Sequence, residues 1–426
     1  MRNEQIIALI KREVVPAIGC TEPAAVALCT AYATEALGVR PERIDVDLSA
    51  NMLKNAMGVG IPGTGMTGLP IAVALGALIG KSAYRLEVLR DVTPKAVEEA
   101  KAYLADRQVS IHLTTGSDEV LYIEVNCQAG GSRSRAVIAR SHTNLVYLEG
   151  PCVPTQDRRD SLNAPEQEAA SDEELTLRRV YDFATTAPLE DIEFINEARR
   201  LNEAAAEEAL KGNYGHELGK TLSRPLGKGI MGESIFSHII SATSCACDAR
   251  MAGAMIPVMS NSGSGNQGIA ATLPVVVFAR ENHNTEEELT RALILSHLTA
   301  IYIKQSLGRL SALCGCVVAS TGSSCGITYL MGGSYAQVSY SVKNMIANLA
   351  GMVCDGAKPS CALKVSSGVS TAVLSAMLAV QNHTVSSYEG LIEDDVDRCI
   401  HNLTRLGSVG MQETDKMVLD IMTHKK

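Results

Sequence analysis

Two apolar periods divide the chain, and where each one holds limits what it can fold into. Between residues 44 and 150 apolar and polar residues alternate. Ile44, Val46 and Leu48 are spaced by Asp45 and Asp47, and "LYIEVNC" (121–127) repeats the pattern. Period two marks strands with one buried face. The stretch "QAGGSRS" supplies a turn that returns the chain as "AVIARSHTNLVYLEG", an antiparallel partner. Elsewhere the spacing is helical. Ile6, Ile7, Leu9, Ile10, Val14 and Val15 predict a first helix. Pro23 to Leu37 predicts a second, with Pro23 in its first turn, Thr21 or Glu22 as its cap and Gly38 as its stop. "TPKAVEEAKAYLADR" is helical between the strands, and "EDIEFINEARRLNEAAAEEALKG" reads as one long helix closed by Gly212.

The expected fold class is therefore α+β: a mostly helical catalytic core with a small inserted α+β unit containing antiparallel strands. Residues 1–40 and 172–426 form the core and 41–150 the insertion. A linker follows at 151–171, where periodicity stops and prolines and charges crowd together. No repeat of solenoid length is present.

Charge narrows the partners. With 38 Lys and Arg against 47 Asp and Glu the net charge is −9, and no basic run exceeds the terminal "HKK". Such a surface argues against nucleic acid and against an anionic membrane. The most apolar runs, "LPIAVALGALIG" and "GIAATLPVVVFA", fall short of a bilayer span. The N-terminal "MRNEQIIALIKREVV" lacks a secretion signal's apolar segment. A cytoplasmic protein is expected, and Gly/Ala-rich helices suit a homodimer. In a reducing compartment the 12 cysteines point to thiol chemistry or metal binding rather than disulfides.

The densest cysteine stretches lie late in the chain. "LCGCVVASTGSSCG" holds Cys314, Cys316 and Cys325, and "MVCDGAKPSCALK" holds Cys354 and Cys361. Thiolates are the soft ligands that iron–sulfur clusters and zinc require. No C-x₂-C pair or zinc-finger histidine accompanies them, so spacing alone leaves metal ligands and buried apolar thiols both open. Cys354 and Cys361 have Asp, Gly, Lys and Pro around them, which places them in a turn where sulfur can reach outward. Cys29, Cys245, Cys247, Cys325 and Cys399 sit in apolar helical settings and read as core.

Two glycine clusters, "NAMGVGIPGTG" (55–65) and "NSGSGNQG" (261–268), expose backbone N–H groups. Neither matches a nucleotide fingerprint. They suit a small carboxylate ligand, or else simple punctuation between helices. His142 and His238 read as ordinary hydrogen-bonded residues, and the acidic runs at 286–288 and 393–395 as solvated helix faces.

Together "GCTEPAAVAL", "NAMGVGIPGTG", "GSGNQGI", "LCGCVVASTG…GITYLMGG" and "NMIANLAGMVCDGAKPSCALK" resemble the L-cysteine desulfidase family, which is similar to the α-chain of iron–sulfur L-serine dehydratases. The resemblance implies β-elimination on a small amino-acid substrate with a 4Fe–4S cluster, one iron of which has no protein ligand. It implies Cys354 and Cys361 as cluster ligands, with a third from "CGC": Cys316, or Cys314 in its place. "GCTEP" (19–23) lines up with the dehydratases' S-H-T-x-G-P motif and puts Cys20 where they keep a histidine. Cys20 is then the expected base, with Glu22 the next candidate. A helix N-terminus at Cys20 is expected to favour the thiolate. Asn51, Asn55, Ser262 and Asn266 are the side chains expected to grip the substrate. L-Cysteine is the expected substrate and L-serine the alternative. A reading of another class is a non-catalytic thiolate metal-binding module with a fourth protein ligand.

Overall fold

The protein is described here by a computed structural model covering residues 1–114, 117, 119–163, 175–308 and 311–425. The alternating segments form one six-stranded sheet. Its strands are β1 (Arg43–Leu48), β2 (Gln108–Leu113), β3 (Tyr122–Ala129), β4 (Ser132–Ala139), β5 (Leu145–Gly150) and β6 (Val153–Asp157), in the order β2-β1-β3-β4-β5-β6. Only β1 and β2 run parallel, so the chain must cross over between them. It does so through α3 (Ala50–Ala56), α4 (Leu69–Leu78) and α5 (Pro94–Asp106). The register sets Ile44, Val46 and Leu48 opposite Cys127, Val125 and Ile123, and all six are fully buried.

That face is covered by α2 (Thr21–Leu37). Ala25, Val26, Ala27, Leu28 and Ala31 are all buried, because this helix is enclosed by the sheet on one side and α4 on the other. A Cβ at Gly76 of α4 would strike the backbone of Ala27; the two helices touch there because that residue has no side chain. Although it lies within the 1–40 stretch expected in the helical core, α2 shares its apolar cluster with the sheet.

The expected linker is also partly structured. Val153–Asp157 adds the sixth strand and Arg159–Asn163 a 3₁₀ turn; residues 164–171 lie outside the described residues. Proline and charge suit a sheet edge, where one side of the strand makes no ladder bonds. The expected long helix at 190–211 is broken. A short helix (Leu189–Ile192) and a 3₁₀ turn (Glu193–Ile195) precede a helix at Asn196–Lys211. The tighter turn stacks residues three apart, and Ile192 and Ile195 are both buried.

The second layer is helical. Around α1 (Asn3–Glu13) and α6 (Leu177–Thr186) stand α7 (Asn196–Lys211), α8 (Ile235–Met251), α9 (Gly265–Glu281), α10 (Glu286–Leu307), α11 (Gly315–Leu330), α12 (Tyr335–Leu349), α13 (Cys361–Val380), α14 (Val396–Arg405) and α15 (Gln412–Thr423). The central helix is α11, which packs on α9, α10, α12 and α13. Its Gly322 and Gly326 lie against backbone carbonyls of Ser296 and Ala292 in α10. By length and composition α13 is apolar enough to cross a membrane, with half of that stretch buried. This corrects the expectation that no segment reaches that length: Ser, Gly and Thr dilute the run in sequence without interrupting the helix.

Candidate active site

Backbone pairing brings the start of the chain to the second glycine cluster. Pro16–Ile18 runs antiparallel to Pro257–Met259. Ser260 donates to the Val15 carbonyl from both N (2.9 Å) and Oγ (2.6 Å), and Ser262 N donates to Glu13 O at 2.9 Å. Gly19, at φ +66°, turns the chain into α2 with Pro62 packed where a Cβ would project. Cys20 is the N-cap of α2. The helix begins at Thr21, earlier than expected, and no side chain caps it.

The floor under the loop at 261–264 is a neutral network that sequence reasoning missed. Asn261 Nδ2 donates to His297 Nδ1 (3.1 Å) and to the His297 carbonyl (3.1 Å). Thr272 Oγ1 already donates to Gly268 O at 2.7 Å, so it accepts from His297 Nε2–H at 2.9 Å. Burial pushes the His297 imidazole down to about 3. The only hint in the sequence was a histidine in the otherwise apolar "LILSHLTAI".

The late cysteines are set by another pairing. Cys314 N donates to Met352 O (2.9 Å) and Cys354 N to Ala312 O (2.6 Å), which lays the two cysteines side by side. The Cys314 thiol hydrogen-bonds with those of Cys316 and Cys354. Cys316 also donates its Sγ to Lys364 O at 3.0 Å against α13, where Gly368 leaves room for it. Cys361 opens α13. It lies within electrostatic reach of Cys354 on one side and of Cys20 and Cys247 on the other. Cys20, Cys314, Cys354 and Cys361 are thus brought into one neighbourhood at the starts of α2, α11 and α13. Cys247, expected as plain core, is buried beside them.

Electrostatics in this neighbourhood corrects one expectation. Burial pushes the Cys20 thiol up to about 12, with Arg250 pulling it down. Desolvation therefore outweighs the helix N-terminus, and the thiol is protonated at neutral pH. Cys314 stands at about 12, raised by its hydrogen bond with Cys316 and then by burial, and Cys361 is raised by burial. Cations gather here too. Lys54, 2% exposed, pairs with Asp415 of α15. Lys358 and Lys364 hold Asp355 at about 2 despite its burial. Burial lowers Lys304 to about 8, against the pull of Cys354 and Cys314.

The expected substrate-gripping residues divide. Asn51 carries a buried Oδ1 with no partner, and Asn55 lies half-buried one turn on. Ser262, held at φ +49°, donates its hydroxyl to Asn261 Oδ1 at 2.9 Å. Asn266 is committed elsewhere: its Oδ1 accepts from Arg250 (3.0 Å) and its Nδ2 faces Met251 Sδ (3.2 Å). Glu22 is half-buried in the first turn of α2 and accepts from Thr21 Oγ1 at 3.2 Å. Arg250, Gln267, Lys54 and Lys304 belong to the same region and were not singled out from sequence. The Gln267 amide lies against Gly315, between Cys314 and Cys316.

Among the described residues, no three His, Cys, Asp or Glu side chains are poised around a single metal ion, which leaves no closed four-ligand structural site there. A cluster is wider than one ion, so its ligands need not meet at one point. Its requirement is soft sulfur in a dry, cationic setting. Cys314, Cys354 and Cys361, ringed by Lys54, Lys304 and Lys364, match that chemistry.

Comparison with known proteins shows which family the chain belongs to. Three relatives, each named "UPF0597 protein", span nearly the whole chain. That of Bacteroides thetaiotaomicron is 67% identical over 99% of this chain and 98% of its own. That of Phocaeicola vulgatus is 68% identical over 100% and 98%, and that of Porphyromonas gingivalis 52% over 100% and 99%. A family model described as "Serine dehydratase alpha chain" matches residues 83–420, a span that includes Cys314, Cys316, Cys354 and Cys361 and begins after Cys20. With a match over most of its length, the chain belongs to the serine dehydratase alpha chain family, lyases of the serine-dehydratase type.

Proposed function

We propose that this protein carries out β-elimination on L-cysteine, giving pyruvate, ammonia and sulfide. The observation that supports it best is the Cys20 thiol, held at a helix start between the Arg250 guanidinium and Cys361, on the edge of the late-cysteine group. Cys314, Cys354 and Cys361 would hold a 4Fe–4S cluster. Cys314 is preferred to Cys316 in that set because the Cys314 thiol meets that of Cys354, whereas Cys316 donates its own to the Lys364 carbonyl. When bound, a cluster with an iron free of protein ligands would supply Lewis acidity to the substrate's leaving group.

The chain's own groups do the rest. In its thiolate form Cys20 takes the proton from the substrate Cα; the electron pair forms the Cα–Cβ double bond, and sulfide leaves Cβ. The 2-aminoacrylate released tautomerises to the imine, and water hydrolyses it to pyruvate and ammonia. Because the thiol is mostly protonated at neutral pH, the reactive form is the minor one. The neutral His297–Asn261–Thr272 network holds the loop opposite Cys20 in place, and the surrounding apolar core excludes water from the proton transfer.

L-Serine, with hydroxide as the leaving group, is the second substrate reading, favoured by the family's description. The deciding test is anaerobic reconstitution with iron and sulfide, followed by assay of pyruvate from both amino acids and of sulfide from L-cysteine. Faster turnover of L-cysteine supports the proposal. Equal or faster turnover of L-serine removes the cysteine assignment, and no turnover of either removes elimination.

A further inference from the structure

Arg250 ends α8 with only 4% of its surface exposed. A buried guanidinium calls for a counter-charge, yet among the described residues no carboxylate pairs with it. Its partners are neutral: the Asn266 Oδ1 at 3.0 Å, the Gly19 carbonyl at 3.1 Å, and the Cys20 sulfur. Its Nε is buried with no acceptor at all. That nitrogen lies beside Gly265, the first residue of α9, 2.2 Å from where a Cβ would stand. The start of α9, whose Gln267 N–H is capped by Ser264 Oγ, adds the positive end of the helix dipole. The neighbouring lysines are less available, since Lys54 and Lys364 already hold Asp415 and Asp355.

An unpaired buried cation, an orphaned N–H and a helix start therefore meet beside Cys20 and await an anion. We propose that Arg250 receives the α-carboxylate of the amino-acid substrate, fixing its Cα–H against the Cys20 sulfur. Asn266 is then a positioning residue that holds one end of the guanidinium so that Nε stays turned to Gly265. The choice of an amino acid as the anion rests on the function proposed above, but the pairing itself does not require elimination to occur.

The test uses L-alanine, which has the carboxylate but no leaving group, and L-alaninamide, which lacks the charge. Both are titrated calorimetrically into the reconstituted protein. The wild type is expected to bind L-alanine about tenfold or more tightly than L-alaninamide, as a charge-assisted hydrogen bond predicts. Arg250→Gln should bring the ratio close to one, and Arg250→Lys should restore part of it. A wild-type ratio near one overturns the assignment, and so does a full ratio in Arg250→Gln, which would place carboxylate recognition elsewhere. If circular dichroism shows Arg250→Gln unfolded, Gly265→Ala carries the same test. It keeps the charge but crowds Nε, so a lost ratio supports the pairing and an intact one overturns it. Since L-alanine binding is read without turnover, a protein that binds it but never eliminates would refute the proposed function and leave this pairing standing.

Discussion

His297→Gln should remove much of the acid sensitivity of this protein. The wild-type imidazole is fully buried and already uses both nitrogens, accepting at Nδ1 from Asn261 and donating from Nε2 to Thr272. A second proton on Nδ1 would point at the Asn261 amide N–H, with no carboxylate to compensate. Burial accordingly holds the group at about 3 when folded, against roughly 6.5 in the unfolded chain. A folded value below the unfolded one means that the unfolded state binds the extra proton first. Stability is then intact above about pH 6.5 and declines as pH falls toward 3, where the decline ends. One unit is worth about 1.4 kcal/mol, so moving from pH 7.5 to 5.0 costs roughly 2 kcal/mol from this side chain alone. Equilibrium urea unfolding of both proteins at pH 7.5, 6.0 and 5.0 measures it. Gln keeps a polar contact but cannot titrate, so its curve should fall by about 2 kcal/mol less than the wild type's. Contributions from other groups cancel in the difference. Parallel pH curves would show that His297 is not the acid-sensitive group and that the tautomer assigned above is wrong.

Four further outcomes are expected. Cys20→Ala should keep its iron, read by absorbance and metal content, and lose about 10²- to 10⁴-fold in kcat, the usual share of a general base; a near-native rate would pass the role to Glu22. With the Cys20 thiol raised to about 12, kcat/KM should climb steadily from pH 6 to 9, and a plateau beginning near pH 7 would count against a thiolate base. Cys314→Ser and Cys354→Ser should both fail to hold a cluster, whereas Cys316→Ser should hold one, because a serine hydroxyl can also donate to Lys364 O; cluster loss in Cys316→Ser alone would reverse the ligand assignment. Gly268→Ala would drive a Cβ into the Met259 carbonyl and should cost about 3 kcal/mol or more in urea unfolding, since overpacking against backbone has little room to relax.

Much of the outline was legible before any coordinates. Alternation from Ile44 to Leu48 and from Tyr122 to Cys127 marked strands because a strand exposes its residues in strict turn. The cysteine segments announced themselves by residue type and by the turn residues around Cys354 and Cys361. Local patterns carry such information because neighbours in sequence create them. They could not say that β1 pairs in parallel with β2, nor that Val153–Asp157 joins the edge, since pairing depends on partners far along the chain.

The site divides in the same way. Residue type and neighbouring turn residues marked Cys354 and Cys361 as worth attention, and the family resemblance marked Cys20. Only tertiary packing gives Cys314 and Cys316, two residues apart, different further partners: Cys354 for one sulfur and the Lys364 carbonyl for the other. Packing also gave Arg250 its meaning: in sequence it is one arginine near a helix end, and in the fold it is a buried charge with no counter-ion among the described residues. Desolvation is a property of the whole enclosure rather than of any segment, and it decided that the Cys20 thiol rests protonated despite the helix behind it.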